Sequence, residues 1–296
     1  MIEHKNYRYE DIRNFYFENE KGQRIDCQKV NGNLFLYNVN GLGFEKEVEY
    51  VRVGNTYVKN EEYIKQNIIN GELEFYDMTY DEYKTFVDFI LRAEDLKIIY
   101  VPKLTNRAEY YRDIDFAKID KLEEDDFNIL TSPIQLNCKS LWYKQNVVSY
   151  TIEPNEDEIR WNFRWDSSFT DYNSRSLQYI NDGHVEAPIE VEVSGHVVNP
   201  RLELYIEGQL YQTVTFNVEI NAYEKLLYGT KENEFYILKQ HTDGTTESLF
   251  NLDVLQDFEN DYVIRIPTNR SCELKIEADN EVLNAQITIY PQYIAV

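Results

Sequence analysis

Apolar and polar residues alternate along most of this chain, and turn-forming pairs interrupt the alternation at short intervals. A period of two places successive side chains on opposite faces of a strand, so such a chain folds mainly as β-sheet. In the first half, a strand from Asn14 to Phe17 ends at the turn Glu20-Lys21-Gly22, and Asn31-Gly32-Asn33 leads to another from Leu34 to Tyr37. Gly41-Leu42-Gly43 opens a long stretch in which Val48, Tyr50 and Arg52 alternate with Glu49, Val51 and Val53. Gly54-Asn55 predicts a two-residue hairpin turn, with a return strand from Thr56 toward Ile69. Asn70-Gly71 predicts a second hairpin turn, with Glu72 to Tyr76 as its return.

One helix interrupts the strands. Thr79-Tyr80-Asp81-Glu82 is a capping box, and Tyr83, Phe86, Val87, Ile90 and Leu91 follow as one apolar stripe, predicting a helix over 80–93. Strands follow at 96–101, 110–119 and 134–142, the last with Ile134, Leu136, Cys138, Ser140 and Trp142 on one face. Residues 144–188 are polar and acidic around Glu156-Asp157-Glu158, and read as a linker with a short strand at 159–165. Beyond it, strands are expected at 189–193, 202–206, 211–219, 235–239, 262–266, 274–278 and 285–290, a spacing that suits a sandwich or jelly roll. The expected organisation is mainly β: a β-sandwich-like N-terminal domain with one α-helix over 1–145, a linker or arm over 146–188, and a β-sandwich over 189–296.

Charge narrows the function. The chain carries 53 acidic and 30 basic residues, net −23, and both halves are acidic. Binding to nucleic acid or to an anionic membrane surface needs a basic face, so neither is expected. No stretch approaches 18 apolar residues, so no membrane insertion is expected, and the start Met1-Ile2-Glu3-His4 has no apolar core for a signal peptide. Cys27, Cys138 and Cys272 are far apart and read as reduced, buried residues.

Catalytic templates are missing. There is no Gly-x-Ser-x-Gly, no phosphate-binding loop and no His-Glu-x-x-His, and the four histidines form no ligand spacing. No catalytic, metal or cofactor residue is therefore assigned, and no enzyme is expected. The acidic runs 123–126 and 156–158 lack calcium-loop spacing and read as solvated loops. Trp161, Phe163 and Trp165 alternate, so on a strand they share a face that stacks on glycan rings or packs between domains. The 25 tyrosines suit either a Tyr-rich core or extensive protein–protein surface.

The order of elements resembles one family. A strand, Asn70-Gly71, the segment 71–75, the capped helix, the strand at 96–101 and Glu109-Tyr110-Tyr111-Arg112-Asp113-Ile114 resemble the N-terminal domain of phage distal tail proteins, which would close at Leu141-Trp142-Tyr143. Asn181-Asp182-Gly183-His184, Ala187-Pro188, Gly195, Asn199-Pro200, Asn251-Leu252, 262–267 and 287–291 are similar to that family's galectin-like C-terminal domain. The resemblance implies a structural virion protein of the tail tip, assembled in the host cytoplasm. It implies a homohexameric ring that joins the tail tube protein to the tail-associated lysin or fibre and carries receptor-binding components. The long hairpin suits contact between copies, with Val48, Tyr50, Gly54, Asn55 and Tyr57 as its candidate residues. A carbohydrate-binding module using Trp161, Phe163 and Trp165 is the alternative.

Overall fold

The computed structural model describes residues 13–28, 33–76, 79–102, 108–151, 174–232, 234–250, 262–280 and 284–296. The chain forms two units, Met1–Lys144 with Tyr293–Val296, and Gln145–Gln292. The fold is mainly β, with one helix among the described residues.

The first unit contains β1 (Asn14–Asn19), β2 (Arg24–Asp26), β3 (Leu34–Asn40), β4 (Lys46–Val53), β5 (Thr56–Ile64), β6 (Ile68–Phe75), α1 (Thr79–Arg92), β7 (Leu96–Val101), β8 (Tyr110–Ile119), β9 (Leu130–Cys138) and β10 (Trp142–Tyr143). One antiparallel sheet runs in the order β2-β1-β7-β8-β9-β6-β3, with β10 paired to β8 off this path. Its two ends meet at Cys27. The Cys27 N–H donates to the Phe15 carbonyl at 2.9 Å, and its carbonyl accepts from the Leu36 N–H at 3.3 Å. The sheet thus curls round one core. Strict alternation along β9 buries Leu130, Ser132, Ile134, Leu136 and Cys138, as the period-two pattern requires.

The helix closes that core. Phe86 is buried and meets Phe17, Phe75 and Phe116 edge-on at 5.6, 5.9 and 5.9 Å. Tyr83, Phe89 and Ile90 pack beside it. Leu91, placed in the stripe by spacing, is 77% exposed. Five residues on from Phe86 it lies roughly 140° round the helix, outside the packed face.

Asn70-Gly71 is not a turn. Both residues sit within β6, opposite Gln135 and Ile134 of β9. The glycine is needed for close approach, since a Cβ there would lie 2.9 Å from Leu36 Cδ1. Beside it, β3 skips register between Tyr37 and Asn40, and Asn38 adopts a φ of 49°. A glycine at a bulge looks like a turn signal when only its neighbours in sequence are considered.

The second unit contains β11 (Asn146–Thr151), β12 (Ser174–Ile180), β13 (Ala187–Ser194), β14 (Val197–Val198), β15 (Arg201–Ile206), β16 (Gln209–Thr215), β17 (Glu219–Ile220), β18 (Lys225–Gly229), β19 (Tyr236–Gln240), β20 (Thr246–Ser248), β21 (Arg265–Ile266), β22 (Ser271–Glu277) and β23 (Asn284–Ile289). One sheet runs β11-β23-β13-β18-β19-β20 and another β12-β22-β15-β16. Val191, Val193, Leu226 and Ile287 from the first join Leu202, Leu204, Leu274 and Ile276 from the second in one buried cluster, the arrangement of a sandwich.

The expected linker over 146–188 needs correction. β11 pairs along its whole length with β23, and β12 with β22. Both are edge strands of the second unit, while 152–173 lie outside the described residues. The last residues, Tyr293–Val296, belong to the first unit. There the Tyr293 ring meets Tyr110 edge-on at 5.3 Å and lies under Lys144 at 4.6 Å.

Two outcomes follow from this packing. Phe86→Ala should cost the first unit about 3–5 kcal/mol in urea denaturation, and Leu91→Ala no more than about 0.5 kcal/mol. A fragment spanning 145–292 should melt cooperatively. One starting at Ile189 lacks both β11 and β12, and should melt lower or not fold, as followed by circular dichroism.

Candidate assembly surface

The hairpin is built where the sequence places it. Gly54 takes a φ of 63°, Gly54-Asn55 turns the chain, and β4 pairs with β5 from Lys46↔Ile64 to Val53↔Thr56. Its base is fixed by glycine. Gly41 has a φ of 88°, and any Cβ there would fall on the Ile68 carbonyl oxygen. The Asn67 side-chain amide donates to the carbonyls of Gly41 and Gly43, and the Lys65 N–H donates to the Glu45 carbonyl at 2.9 Å. A register shift at Glu49/Tyr50 leaves Asn60 as a bulge, which strengthens the twist of the ribbon.

β4 and β5 form a two-stranded sheet of their own. Every residue from Gly43 to Tyr63 except Val48 is exposed. Residues directly opposite share a face. One face carries Val48 with Glu62, Tyr50 with Lys59 and Arg52 with Tyr57. Val48, Tyr50 and Tyr57 are therefore brought together, with Tyr50 59% and Tyr57 69% exposed. The opposite face carries Glu47 with Tyr63, Glu49 with Glu61, Val51 with Val58 and Val53 with Thr56. Its exposed valines were not singled out from the sequence, although the register about Gly54-Asn55 determines that they meet. A lone two-stranded hairpin is marginal in water, and contiguous apolar residues on its surface mark a contact region.

Charge laces the stem. Lys46 and Lys59 both pair with Glu62, and Lys65 lies 2.8 Å from Glu45 and 3.4 Å from Glu47. The Tyr63 hydroxyl, and after it Lys65, hold the Glu47 carboxyl below the ordinary carboxylate range, and the same hydrogen bond raises Tyr63. The Lys65 ammonium is raised, chiefly by its hydrogen bond to Glu45. These exposed pairs orient the ribbon more than they stabilise it.

The other singled-out groups do not converge here. Trp161, Phe163 and Trp165 lie outside the described residues. Cys27, Cys138 and Cys272 are buried, and burial raises all three thiols, the opposite of an activated nucleophile. His196 pairs with Glu219 at 2.9 Å and His241 with Glu224 at 3.0 Å. In the acidic run 123–126, Asp125 Oδ1 accepts from the backbone N–H groups of Phe127 and Ile129, both at 2.9 Å, which makes that run an ordered turn.

Comparison with known proteins places this surface in context. Residues 14–139 match the family model described as distal tail protein, N-terminal domain. No curated protein matches the sequence. Among solved structures, a chain from the phage P2 baseplate in its activated conformation with calcium is similar with a TM-score of 0.64 at 16% identity, covering 96% of this chain and 100% of that one. A chain from the same baseplate with strontium gives 0.63 at 17% identity, with the same coverage. The SPP1 Dit protein, described as a paradigm of the hub adsorption apparatus in phages infecting Gram-positive hosts, gives 0.56 at 11% identity, covering 93% of this chain and 98% of that one. At these identities the solved structures speak to the fold, and the family model speaks to the first unit. Residues 14–139 are thus similar to the N-terminal domain of distal tail proteins, and the fold of the whole chain is similar to that of the baseplate and hub chains.

Proposed function

We propose that the chain forms a homohexameric ring at the tail tip, in which the β4–β5 hairpin of one copy lies against its neighbour. The ring would join the tail tube protein to the tail-associated lysin or fibre. The second unit, read as galectin-like, would carry receptor-binding components, and assembly would take place in the host cytoplasm. The observation that carries this reading is the hairpin itself: a two-stranded sheet, exposed on both sides, with Tyr50 and Tyr57 on one face and Val51, Val53 and Val58 on the other. Heterologous contacts of this kind close into rings when each copy offers an extension and a complementary patch. The similar solved structures, a baseplate chain and a hub protein, support such a role. The role is architectural, so the pure protein is expected to leave cell-wall preparations uncleaved.

Light scattering on the full chain tests the ring. A mass of six copies is expected, and a stable trimer or tetramer would sink the idea. Val51→Ser with Val58→Ser should shift the population toward monomer without lowering the melting temperature of either unit. Trypsin supplies a local check. In the monomeric variant, cleavage after Arg52 or Lys59 should lead among the described residues. In the assembled wild type, those two sites should be protected.

A further inference from the structure

A cavity of about 720 Å³ opens on the first unit, between the start of α1 and the loop that joins β8 to β9. Three aromatic rings line it, Tyr76, Tyr80 and Phe127, together with the carboxylates of Asp81 and Glu124. Its size is that of small-ligand sites. None of these residues belongs to the β4–β5 hairpin.

The walls are tied before any ligand arrives. Glu124 and Leu130 form an antiparallel bridge, and Asp125 gathers the turn between them. Its N–H donates to the Ile129 carbonyl at 3.1 Å, its carbonyl accepts from the Asn128 N–H at 3.0 Å, and Asn128 takes a φ of 55°. Its side chain accepts from the N–H groups of Phe127 and Ile129. This ordered turn nevertheless leaves the Phe127 ring 82% exposed, and Tyr80 is 44% exposed. The Tyr76 hydroxyl donates to the Glu74 carboxylate, which fixes a third ring. Aromatic surface held bare by a well-bonded backbone marks a place of contact, and its preorganisation lowers the cost of binding.

Charge selects the ligand class. Among the described residues, the carboxylates of Asp81 and Glu124 have no ion-pair or hydrogen-bond partner. The positive end of the α1 dipole opens here, but Asp81 and Glu82 in the first turn already answer it. An anion would meet these carboxylates locally and a net charge of −23 overall. A cation gains from both, and from the faces of the rings, which attract positive charge. Tyr80 already does so, with the Lys121 ammonium 4.4 Å from its centroid. A bare metal ion wants more oxygen ligands, and among the described residues no group of three or more acidic, histidine or cysteine side chains is placed to hold one. A guanidinium suits every wall: it stacks on an aromatic ring, and its fork bonds carboxylates through several N–H groups at once. We infer that this cavity receives an arginine side chain from an extended segment of a basic partner protein: the guanidinium stacks on Phe127 and bonds to Glu124 and Asp81, and the residues beside the arginine fill the rest of the hollow. The site is independent of ring formation and needs no second copy.

Saturation-transfer NMR on the full chain tests it with three capped peptides: Gly-Arg-Gly, Gly-Lys-Gly of the same charge, and Gly-citrulline-Gly, whose urea copies the guanidinium without its charge. The arginine peptide should bind saturably, and the other two about tenfold more weakly. Phe127→Ala and Glu124→Gln should each weaken the arginine peptide by about tenfold. The melting temperature should not change, because Phe127 is exposed and the Glu124 carboxylate has no partner among the described residues. Absence of saturable binding by the arginine peptide would overturn the proposal. So would equal binding of the lysine or citrulline peptide, binding that survives both substitutions, or displacement of the peptide by calcium chloride. The titration is repeated on the Val51→Ser/Val58→Ser variant. Binding by that variant but not by the assembled chain would give the cavity to a neighbouring copy, and would overturn the proposal as well.

Discussion

The first unit depends on closing a sheet upon itself. An open sheet leaves two edges to be covered. Here a single residue, Cys27, bonds the two ends through its own N–H and carbonyl. The curled sheet then has an open side, and α1 fills it with Phe86 among three other phenylalanines. With the main sheet occupied in this way, β4 and β5 are left as the strands that no sheet of the unit receives. The projecting hairpin is thus a by-product of closure as much as an addition to it.

Local signals were legible where one element decides them. The helix runs Thr79–Arg92 against an expectation of 80–93, and the Gly54-Asn55 turn is where its φ preference puts it. Strands with one buried face were equally clear: β7, β9, β13, β15 and β22 overlap their expected spans. What failed was context. Asn70-Gly71 carries the composition of a turn, but the constraint on Gly71 comes from Leu36, 35 positions away in sequence. β18 has Leu226 and Tyr228 alternating with Lys225 and Leu227, but no turn pair clearly delimits it in the sequence. β11 and β12 flank a long acidic stretch and were absorbed into it.

The assembly surface was partly legible for the same reason. Alternation and turn type determine the register, and the register puts Val48, Tyr50 and Tyr57 on one face. Exposure could not be deduced that way. Valine and tyrosine at period two describe a buried strand as well as a bare one, and only the placement of the other strands distinguishes them. The cavity of the first unit was wholly illegible, since its lining gathers from positions 76 to 129 and becomes a set only once the turn at Asp125 meets the start of α1.

The chain leaves the first unit after Lys144 and returns at Tyr293, and these two residues are in contact, ammonium over ring at 4.6 Å. The whole segment between them is thus an insertion whose two ends emerge side by side from one host. Exchange of such a cassette by recombination would leave the host's closed sheet and its plugging helix intact. The host, in turn, would accept any module whose own ends lie close together. A lineage could therefore change what its second unit presents while keeping the architecture of the first, and sequence would diverge at different rates on either side of the two junctions.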